Sequence, residues 1–566
     1  MKKLIYFASL VAMLLVTSCS EEYLDTDNLY GKSLETFYKT PQDIDEAMAG
    51  VYNAIYTPNV HSNESVAATL MSDMMLGGGG PDDKSAKYVD NFEDPAEDTY
   101  RDMWTQCYRG IARANAIIEK TPDADFTTYF DSPEKAQEFK DQAIGEALFM
   151  RAFFYFRLAK FFGGVPMIVA VDDPKDVGRS SYSDTFAQIA SDLVSAIETM
   201  PATPFPSIPT SRYGHANKWV AEAYLARVFL FYTGYMTNIE GQGTNDLPLA
   251  GGGSLSKSEV TSYLEDCINN SGHKLASDFR NLWPYSYLNQ SAGTTVLPWA
   301  EAEGLSWVGQ DGHSPTFGTG NYETMFVQRF SFGDWGWSNG NIYTNRLCLF
   351  TSIRGNSLTP FGEGWGWGTV NPKLWSSWSD DDPRKVGSIL QLGQADQGTD
   401  GYKFPDNADH HTGYFNKKYT ALQHSGKGMF VQLYSWGNAD MQLMHAQDFI
   451  FMRFADVLLM HSEITGTAEG MNEVRARAGL DPVGYSLQAL KEERLHELSF
   501  EGLRWFDLVR WGDVNTAFND VINVKNAGGI DAQYKVTYRP ETKGLVPIPE
   551  TEIRLSGGVY EQNPGW

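Results

Sequence analysis

Tryptophans are the residues whose number and spacing most clearly suggest a chemical role for this chain. Of the 15 tryptophans, nine lie between residues 283 and 378. They are Trp283, Trp299, Trp307, Trp335, Trp337, Trp365, Trp367, Trp375 and Trp378. A flat indole covers the apolar face of a sugar ring, while nearby Asp, Asn or Arg side chains bind its hydroxyl groups. The cluster therefore suggests a carbohydrate-binding surface, with packing of a segment poor in aliphatic residues as the alternative.

Two tryptophan pairs within this cluster are separated by a single residue. Trp335 and Trp337 form one pair, and Trp365 and Trp367 form the other. In an extended chain both members of such a pair project to the same side, so each pair is predicted to form a platform. Arg384 follows nearby and could donate a forked pair of hydrogen bonds to a ligand, or could simply pair with its acidic neighbours.

A second candidate binding segment precedes the cluster, at residues 71–83 (MSDMMLGGGGPDD). Its four glycines would let the backbone approach a ligand closely. Asp73, Asp82 and Asp83 are the candidate hydrogen-bond acceptors. A solvated loop is an equally good interpretation of the same residues.

No catalytic constellation is evident. His496-Glu497 lacks the second histidine of the zinc-protease motif H-E-x-x-H. A glycosidase needs only two carboxylates, about 5–10 Å apart. Glu323, Asp334, Glu363 and Asp380 occur in the right region, but a role as hydroxyl acceptors or surface acids is the favoured interpretation of these residues. We therefore predict no catalytic residue, cofactor or metal ligand, and no pattern indicates whether a calcium ion binds.

The charge balance excludes one class of partner. The chain has 45 basic and 71 acidic residues, a net charge of −26. Nucleic-acid binding needs a basic face that displaces counterions from phosphates, so we predict no nucleic-acid partner.

The first residues are predicted to be an export signal. Lys2 and Lys3 precede the apolar stretch Leu4–Val16, which is too short to span a membrane. Val16-Thr-Ser-Cys19 resembles a bacterial lipobox, and Ser20-Glu-Glu resembles the surface-export signal of Bacteroidetes lipoproteins. We therefore expect a signal peptide at 1–18 and a lipid anchor at Cys19, with ordinary cleavage without lipidation as the alternative.

Helical periodicity dominates both ends of the remaining chain and is lost between them. After an acidic tether at 19–32, the pattern predicts a helical region at 33–274, an irregular insert at 275–445 and a helical region with a tail at 446–566. Predicted helices include 98–120, 133–160, 184–200, 216–233, 259–269, 447–464, 469–478 and 487–510. Pairs of helices recur roughly every 30–40 residues, as in tetratricopeptide repeats. Cys107, Cys267 and Cys348 are expected to be buried thiols, since their spacing suits no metal site.

Several motifs resemble those of the SusD/RagB family. The longest is Leu490–Gly512 (LKEERLHELSFEGLRWFDLVRWG), preceded by Arg453–Met460 and Val474–Leu480. Arg151–Phe156 with Gly163–Pro166 in the N-terminal half and the ending QNPGW fit as well. The order and length of these motifs extend the resemblance over nearly the whole mature chain.

The resemblance implies a mainly α fold: a tetratricopeptide-like scaffold with a large irregular insert rich in glycine and tryptophan and few short strands. It also implies a surface-exposed outer-membrane lipoprotein that binds glycans and acts as the lid of a SusC-like, TonB-dependent transporter. We therefore expect a binding protein and not an enzyme. A lipid-anchored glycoside hydrolase and a lid without affinity of its own are the alternatives. Glu501, Arg504, Asp507 and Asp456 are expected to be structural.

Overall fold

The structure is a computed structural model of a mostly helical protein. It describes residues 37–58, 63–94, 98–289, 302–305, 307–309, 321–331, 342–356, 358, 360–422, 441–443 and 445–566. The helices there are α1 Pro41–Asn53, α2 Glu64–Leu70, α3 Lys84–Asp90, α4 Arg101–Lys120, α5 Pro133–Phe162, α6 Tyr182–Thr199, α7 Lys218–Asn238, α8 Lys257–Asn270, α9 Arg346–Phe350, α10 Pro372–Ser377, α11 Pro383–Ser388, α12 Phe454–Thr465, α13 Glu469–Arg477, α14 Leu487–Glu497, α15 Arg504–Arg510, α16 Val514–Ala517 and α17 Glu550–Leu555. The strands are β1 Met75–Gly78, β2 Leu247–Pro248, β3 Ser254–Leu255, β4 Thr324–Gln328, β5 Trp367–Val370, β6 Ile389–Gln391, β7 Tyr414–Asn416, β8 Phe449–Arg453, β9 Ile522–Asn526 and β10 Ile530–Tyr534.

The N-terminal half is a stack in which each of α4 to α7 packs against the next helix along the chain. Local sequence explains the helix ends. Thr40 and Asp43 form a capping box at the start of α1, and the Ser132 side chain caps α5 just before Pro133. Helix α5 ends at Gly163, whose φ of 80° suits glycine. The second half of α5 is buried on nearly all sides, which makes it the centre of the scaffold. The predicted mainly α fold with few short strands is confirmed.

The strands form two-stranded antiparallel sheets, and two of these sheets join distant parts of the chain. Strand β1 pairs with β5, and β4 pairs with β8. The central region is therefore hydrogen-bonded to segments before and after it. Its described helices, α9 to α11, have only five or six residues each. The predicted boundaries at residues 275 and 445 stay a prediction.

Two helix predictions near the C-terminus were wrong in detail. The segment predicted as helix 447–464 begins as strand β8 and becomes helical only at Phe454. The segment predicted as helix 487–510 is broken into α14 and α15. Between them, Phe500 and Gly502 have φ of 64° and 73°. The break is stabilised where α14 ends, because the Glu497 carbonyl accepts hydrogen bonds from Arg453 at 2.6 Å and Lys418 at 2.9 Å.

A network of buried charges lies where the central region meets the C-terminal helices. The carboxylate of Glu497 accepts hydrogen bonds from Arg384 at 2.9 Å, from Arg453 at 2.5 Å and from Arg477. Ion pairs link five carboxylates with five cations: Glu323, Asp382, Glu493, Glu497 and Glu501 with Arg384, Lys418, Arg453, Arg475 and Arg477. Burial alone would raise the pKa of Glu497, but the surrounding guanidinium groups hold it well below its usual value. The carboxylate is therefore charged throughout the neutral range.

Two further acids that were expected to be structural, Asp456 and Asp507, form ion pairs outside this network. Asp456 pairs with Arg227 and with Arg494, at 2.5 and 2.6 Å. Asp507 pairs with Arg494 and with Arg510, at 2.9 and 2.8 Å. The predicted structural role of both acids agrees with these contacts.

Cys107, Cys267 and Cys348 are buried, as expected. The tail packs on the scaffold, with the Val546 N–H donating to the Phe161 carbonyl at 2.8 Å. Among the described residues, no helix is long and apolar enough to cross a membrane.

Removing one charge from the network tests its importance. In Glu497→Gln the side chain keeps its shape, but three guanidinium groups lose a counter-charge. We expect the free energy of unfolding to fall by about 3–5 kcal/mol, measured by urea denaturation, because an uncompensated charge stays buried.

The matched control is Glu492→Gln on the same helix. Glu492 is exposed and accepts one hydrogen bond from Gln488 at 2.8 Å. This change should barely affect unfolding. Equal unfolding midpoints for the two variants would contradict a stabilising role for the network.

Candidate functional site

The glycine-rich turn and the Trp365–Trp367 segment, predicted separately, lie side by side. In the β1–β5 pair Gly78 is opposite Trp367, and the Gly79 N–H donates to the Gly366 carbonyl at 2.7 Å. A Cβ on Gly78 would lie 2.5 Å from the Gly366 oxygen. The close approach that these glycines permit is thus between two protein strands. The expectation that they bring backbone close to a ligand is not met at Gly78.

Arg354 organises the exposed side of this junction. Asp83 Oδ2 accepts hydrogen bonds from the Gly80 N–H at 2.7 Å and from Arg354 Nη1 at 3.0 Å. Arg354 Nη1 also donates to the Trp365 carbonyl at 2.9 Å, and Nε donates to Asn407 Oδ1 at 3.3 Å. The Arg354 and Asp83 side chains are 22% and 23% exposed, so solvent and small polar ligands reach both.

We call these residues, with exposed Asp82, the Arg354 surface: Asp82, Asp83, Arg354, Trp365 and Asn407. It offers carboxylates that accept hydrogen bonds, a guanidinium group that donates them and one partly exposed ring. These are the groups that bind hydroxyl-rich ligands. Sequence analysis missed Arg354 and Asn407, because neither residue belongs to a motif and both reach the surface only through the fold.

The two tryptophans of this segment do not form a flat platform. Their ring centroids are 5.9 Å apart and the rings are inclined by 61°. Gly366 between them has a φ of 73°, so the chain is not extended there as the prediction assumed. Trp367 is only 2% exposed and stacks on Phe350 at 4.5 Å. Trp365 is half-buried against the same phenylalanine, with centroids 4.6 Å apart. Trp367 is therefore part of the core, and Trp365 is the accessible member of the pair.

Two further candidate ligand-binding residues, Arg384 and Asp73, already form ion pairs within the protein. The Arg384 side chain is 0% exposed and binds Asp382, Glu493 and Glu497 in the buried network. Asp73 accepts two hydrogen bonds from Arg504, at 2.8 and 2.7 Å. These contacts support the alternative stated for Arg384, pairing with acidic groups, and give Asp73 a partner within the protein.

The other tryptophans of the cluster divide into three groups. Trp299, Trp335 and Trp337 lie outside the described residues, as does Cys19. Trp283, Trp307 and Trp378 are buried. Trp375 is half-buried and stacks on Tyr414, with centroids 5.3 Å apart. The packing interpretation therefore holds for most of the described tryptophans, and the proposal for Trp335 and Trp337 stays a prediction.

Among the described residues, the carboxylates considered for glycoside hydrolysis do not form a pair that could act as general acid and base. Glu323 is fully buried and pairs with Arg453 at 2.8 Å. Asp380 is exposed and pairs with Lys385 at 2.6 Å. Glu363 is half-buried, and Asp334 lies outside the described residues. Within the described ranges, no group of three or more His, Cys, Asp or Glu side chains is arranged to hold a metal ion.

Two family profiles match this chain at its two ends. One, described as starch-binding and associating with the outer membrane, matches residues 22–230. The other, described as the SusD family, matches residues 362–566. The chain belongs to the SusD family. The resemblance found in the sequence motifs is thus confirmed.

The similarity of relatives to this SusD-family chain covers nearly its whole length. SusD-like protein P2 of Formosa agariphila is 24% identical over 588 residues, which cover 98% of each chain. A structure titled laminarin binding SusD-like protein has a TM-score of 0.69 and 22% identity, covering 94% of this chain and 100% of that one. Surface glycan-binding protein A from Bacteroides thetaiotaomicron, in complex with laminarihexaose, has a TM-score of 0.67 and 19% identity, covering 93% and 99%. At these identities the likeness establishes a shared fold.

Alanine substitution distinguishes the core tryptophan from the accessible one. We expect Trp367→Ala to lower the free energy of unfolding by about 3–5 kcal/mol, because it leaves a cavity beside Phe350. Trp365→Ala removes less buried area and should cost clearly less. Thermal or urea unfolding of both variants measures the difference, and equal losses would show that the two rings are equally part of the core.

Proposed function

We propose that this protein captures oligosaccharides or polysaccharides at the surface of the outer membrane. The observation that carries the proposal is the fold, shared over nearly the whole chain with a laminarin binding SusD-like protein and with a surface glycan-binding protein bound to laminarihexaose. Membership of a family whose profile is described as starch-binding and outer-membrane associating supports it.

The accessible groups of the Arg354 surface suit such a ligand. Asp82 and Asp83 accept hydrogen bonds from sugar hydroxyls, Arg354 donates them, and Trp365 offers a partly exposed ring. We also propose Trp335 and Trp337 as stacking residues, because side chains separated by one residue project to the same side of an extended chain.

We further propose that the protein is anchored by lipid at Cys19 and acts as the lid of a SusC-like, TonB-dependent transporter. The support is the lipobox-like sequence before Cys19 and the family resemblance. Acyl chains attach a folded domain to a bilayer without a spanning helix. In this arrangement the protein binds glycan outside the cell and the transporter moves it inward.

A glycan panel tests binding and catalysis together. The purified mature domain, incubated with laminarin, starch and other plant, microbial and host glycans, should bind at least one without releasing reducing ends over time. Affinity electrophoresis reports binding, and a reducing-end assay reports cleavage. Binding to none of the glycans would contradict the proposal.

Cleavage would instead indicate a hydrolase. If reducing ends accumulate and Glu363→Gln or Asp334→Asn abolishes them, the carboxylates act as a general acid and base. Reducing ends that persist in both variants would show that Glu363 and Asp334 are not the catalytic carboxylates.

Removing the proposed lipidation site tests the localisation. Cys19→Ala has no thiol to acylate, so we expect an unprocessed or soluble protein that is lost from the outer-membrane fraction. Cell fractionation and surface labelling measure this. An Asn28→Ala variant, in the tether beyond the proposed export signal, is the control and should keep normal membrane attachment and surface display. Normal surface display of Cys19→Ala would contradict the lipid anchor.

A further inference from the structure

The β9–β10 hairpin and the loop 392–413 form the two walls of an open groove. Its volume is about 1000 Å³, at the upper end of the range for ligand sites. It lies outside the Arg354 surface and involves none of the residues predicted from the sequence. Its walls are joined at the base, where His411 and Lys525 exchange two backbone hydrogen bonds of 2.9 Å each.

One face of the hairpin presents polar side chains to this groove. In the antiparallel register, Asn523 pairs with Gln533 and Lys525 pairs with Asp531. Because side chains alternate along a strand, all four lie on the same face. All four are exposed. On the other face, Val524 is 4% exposed and packs into the protein, so the alternation fixes which face is polar.

The opposite wall supplies aromatic rings. Tyr402 and Phe404 are half-buried and line the groove. Tyr402 is held by His411, since its ring lies parallel to the imidazole, with centroids 5.6 Å apart. Its hydroxyl is 2.7 Å from His411 Nε2. Phe404 meets the same imidazole edge-on at 5.2 Å. The rings are therefore positioned before any ligand binds.

The groove floor is open and carries no net charge. Gly393 and Gly413 line it, and a Cβ built on either would meet no atom within 4 Å. Lys525 and Asp531 neutralise each other at 2.7 Å. Burial lowers the pKa of His411 to about 4, so this imidazole is neutral at neutral pH. The lining thus carries one ion pair and no net charge, in a protein whose net charge is −26.

We propose that this groove binds an uncharged oligosaccharide segment, at a subsite separate from the Arg354 surface. The inference rests on the proposed glycan-binding function and specifies where and what kind of glycan binds. Phe404 and Tyr402 cover apolar sugar faces, while the amides of Asn523 and Gln533 bind hydroxyl groups. An anionic polysaccharide fits poorly, because the single cation of the lining is already paired with a carboxylate.

The subsite is tested by measuring affinity for laminarin, a neutral glucan. If laminarin does not bind, another neutral glycan that binds in the panel takes its place. We expect Phe404→Ala, and separately the double variant Asn523→Ala with Gln533→Ala, each to weaken binding by about fivefold or more. Phe404→Tyr keeps the ring and should bind like the wild type. Ile530→Ala is the control on the same hairpin: Ile530 is 65% exposed on the opposite face and should leave affinity unchanged.

Isothermal titration calorimetry measures the affinities, and melting temperatures confirm that each variant folds. If Phe404→Ala is unfolded, the exposed double variant carries the test. Unchanged affinity in the folded groove variants, with wild-type binding intact, would overturn the subsite and leave the proposed function in place. Wild-type binding restricted to anionic glycans such as polygalacturonate would also overturn it. Wild-type binding to no glycan would overturn both.

Discussion

The pairing of buried charges around Glu497 and Arg453 is the constraint on which the assembly of this chain depends. Each charge taken out of water costs several kcal/mol unless partners surround it. Here the partners come from β8, α11, α13, α14 and the segments beside β4 and β7. Few relative placements of these segments satisfy every charge at once. The network thereby favours one arrangement of the central region on the C-terminal helices, and helix α14 ends where its last carbonyl can accept hydrogen bonds from Arg453 and Lys418.

The core of the central region is packed differently, because this region has short helices and strands and few long aliphatic stretches. Indoles are part of its core: Trp283, Trp367 and Trp378 are each at most 2% exposed. Glycines let strands approach where a Cβ would clash, as at Gly78 beside Gly366. The composition that suggests a sugar-binding surface therefore serves packing first. Only the rings left partly outside, such as Trp365 and Trp375, combine a stable position with an accessible face.

The Arg354 surface and the groove share one supporting loop. From the loop 392–413, Asn407 contacts Arg354, while the Asp409 N–H donates to the Gly79 carbonyl at 2.8 Å. Beneath them, Asp90 accepts 2.8 Å hydrogen bonds from the Gly77 N–H and the Tyr534 hydroxyl. Burial raises the pKa of Asp90 to about 7. Asp90 thus connects the glycine-rich turn with the β9–β10 hairpin. The Arg354 surface and the groove therefore keep a fixed position relative to each other.

Local patterns were sufficient to predict the mainly α fold, the ends of most of the long helices, the buried thiols and the family. Caps such as Thr40 with Asp43, and Ser132 before Pro133, depend on residues three positions apart, so they can be read directly from the chain. The same holds for the motifs of the SusD family.

Only the tertiary structure decided which candidate residues are accessible. Arg384 and Glu497 are 113 residues apart in sequence, yet they form an ion pair in the core. Trp367 is buried because Phe350 lies against it, while Trp365, two residues earlier, stays partly exposed. Arg354 reaches Asp83 across 271 residues. Residue type and spacing determine what a side chain can bind, but its exposure depends on neighbours supplied by distant segments, which no local pattern encodes.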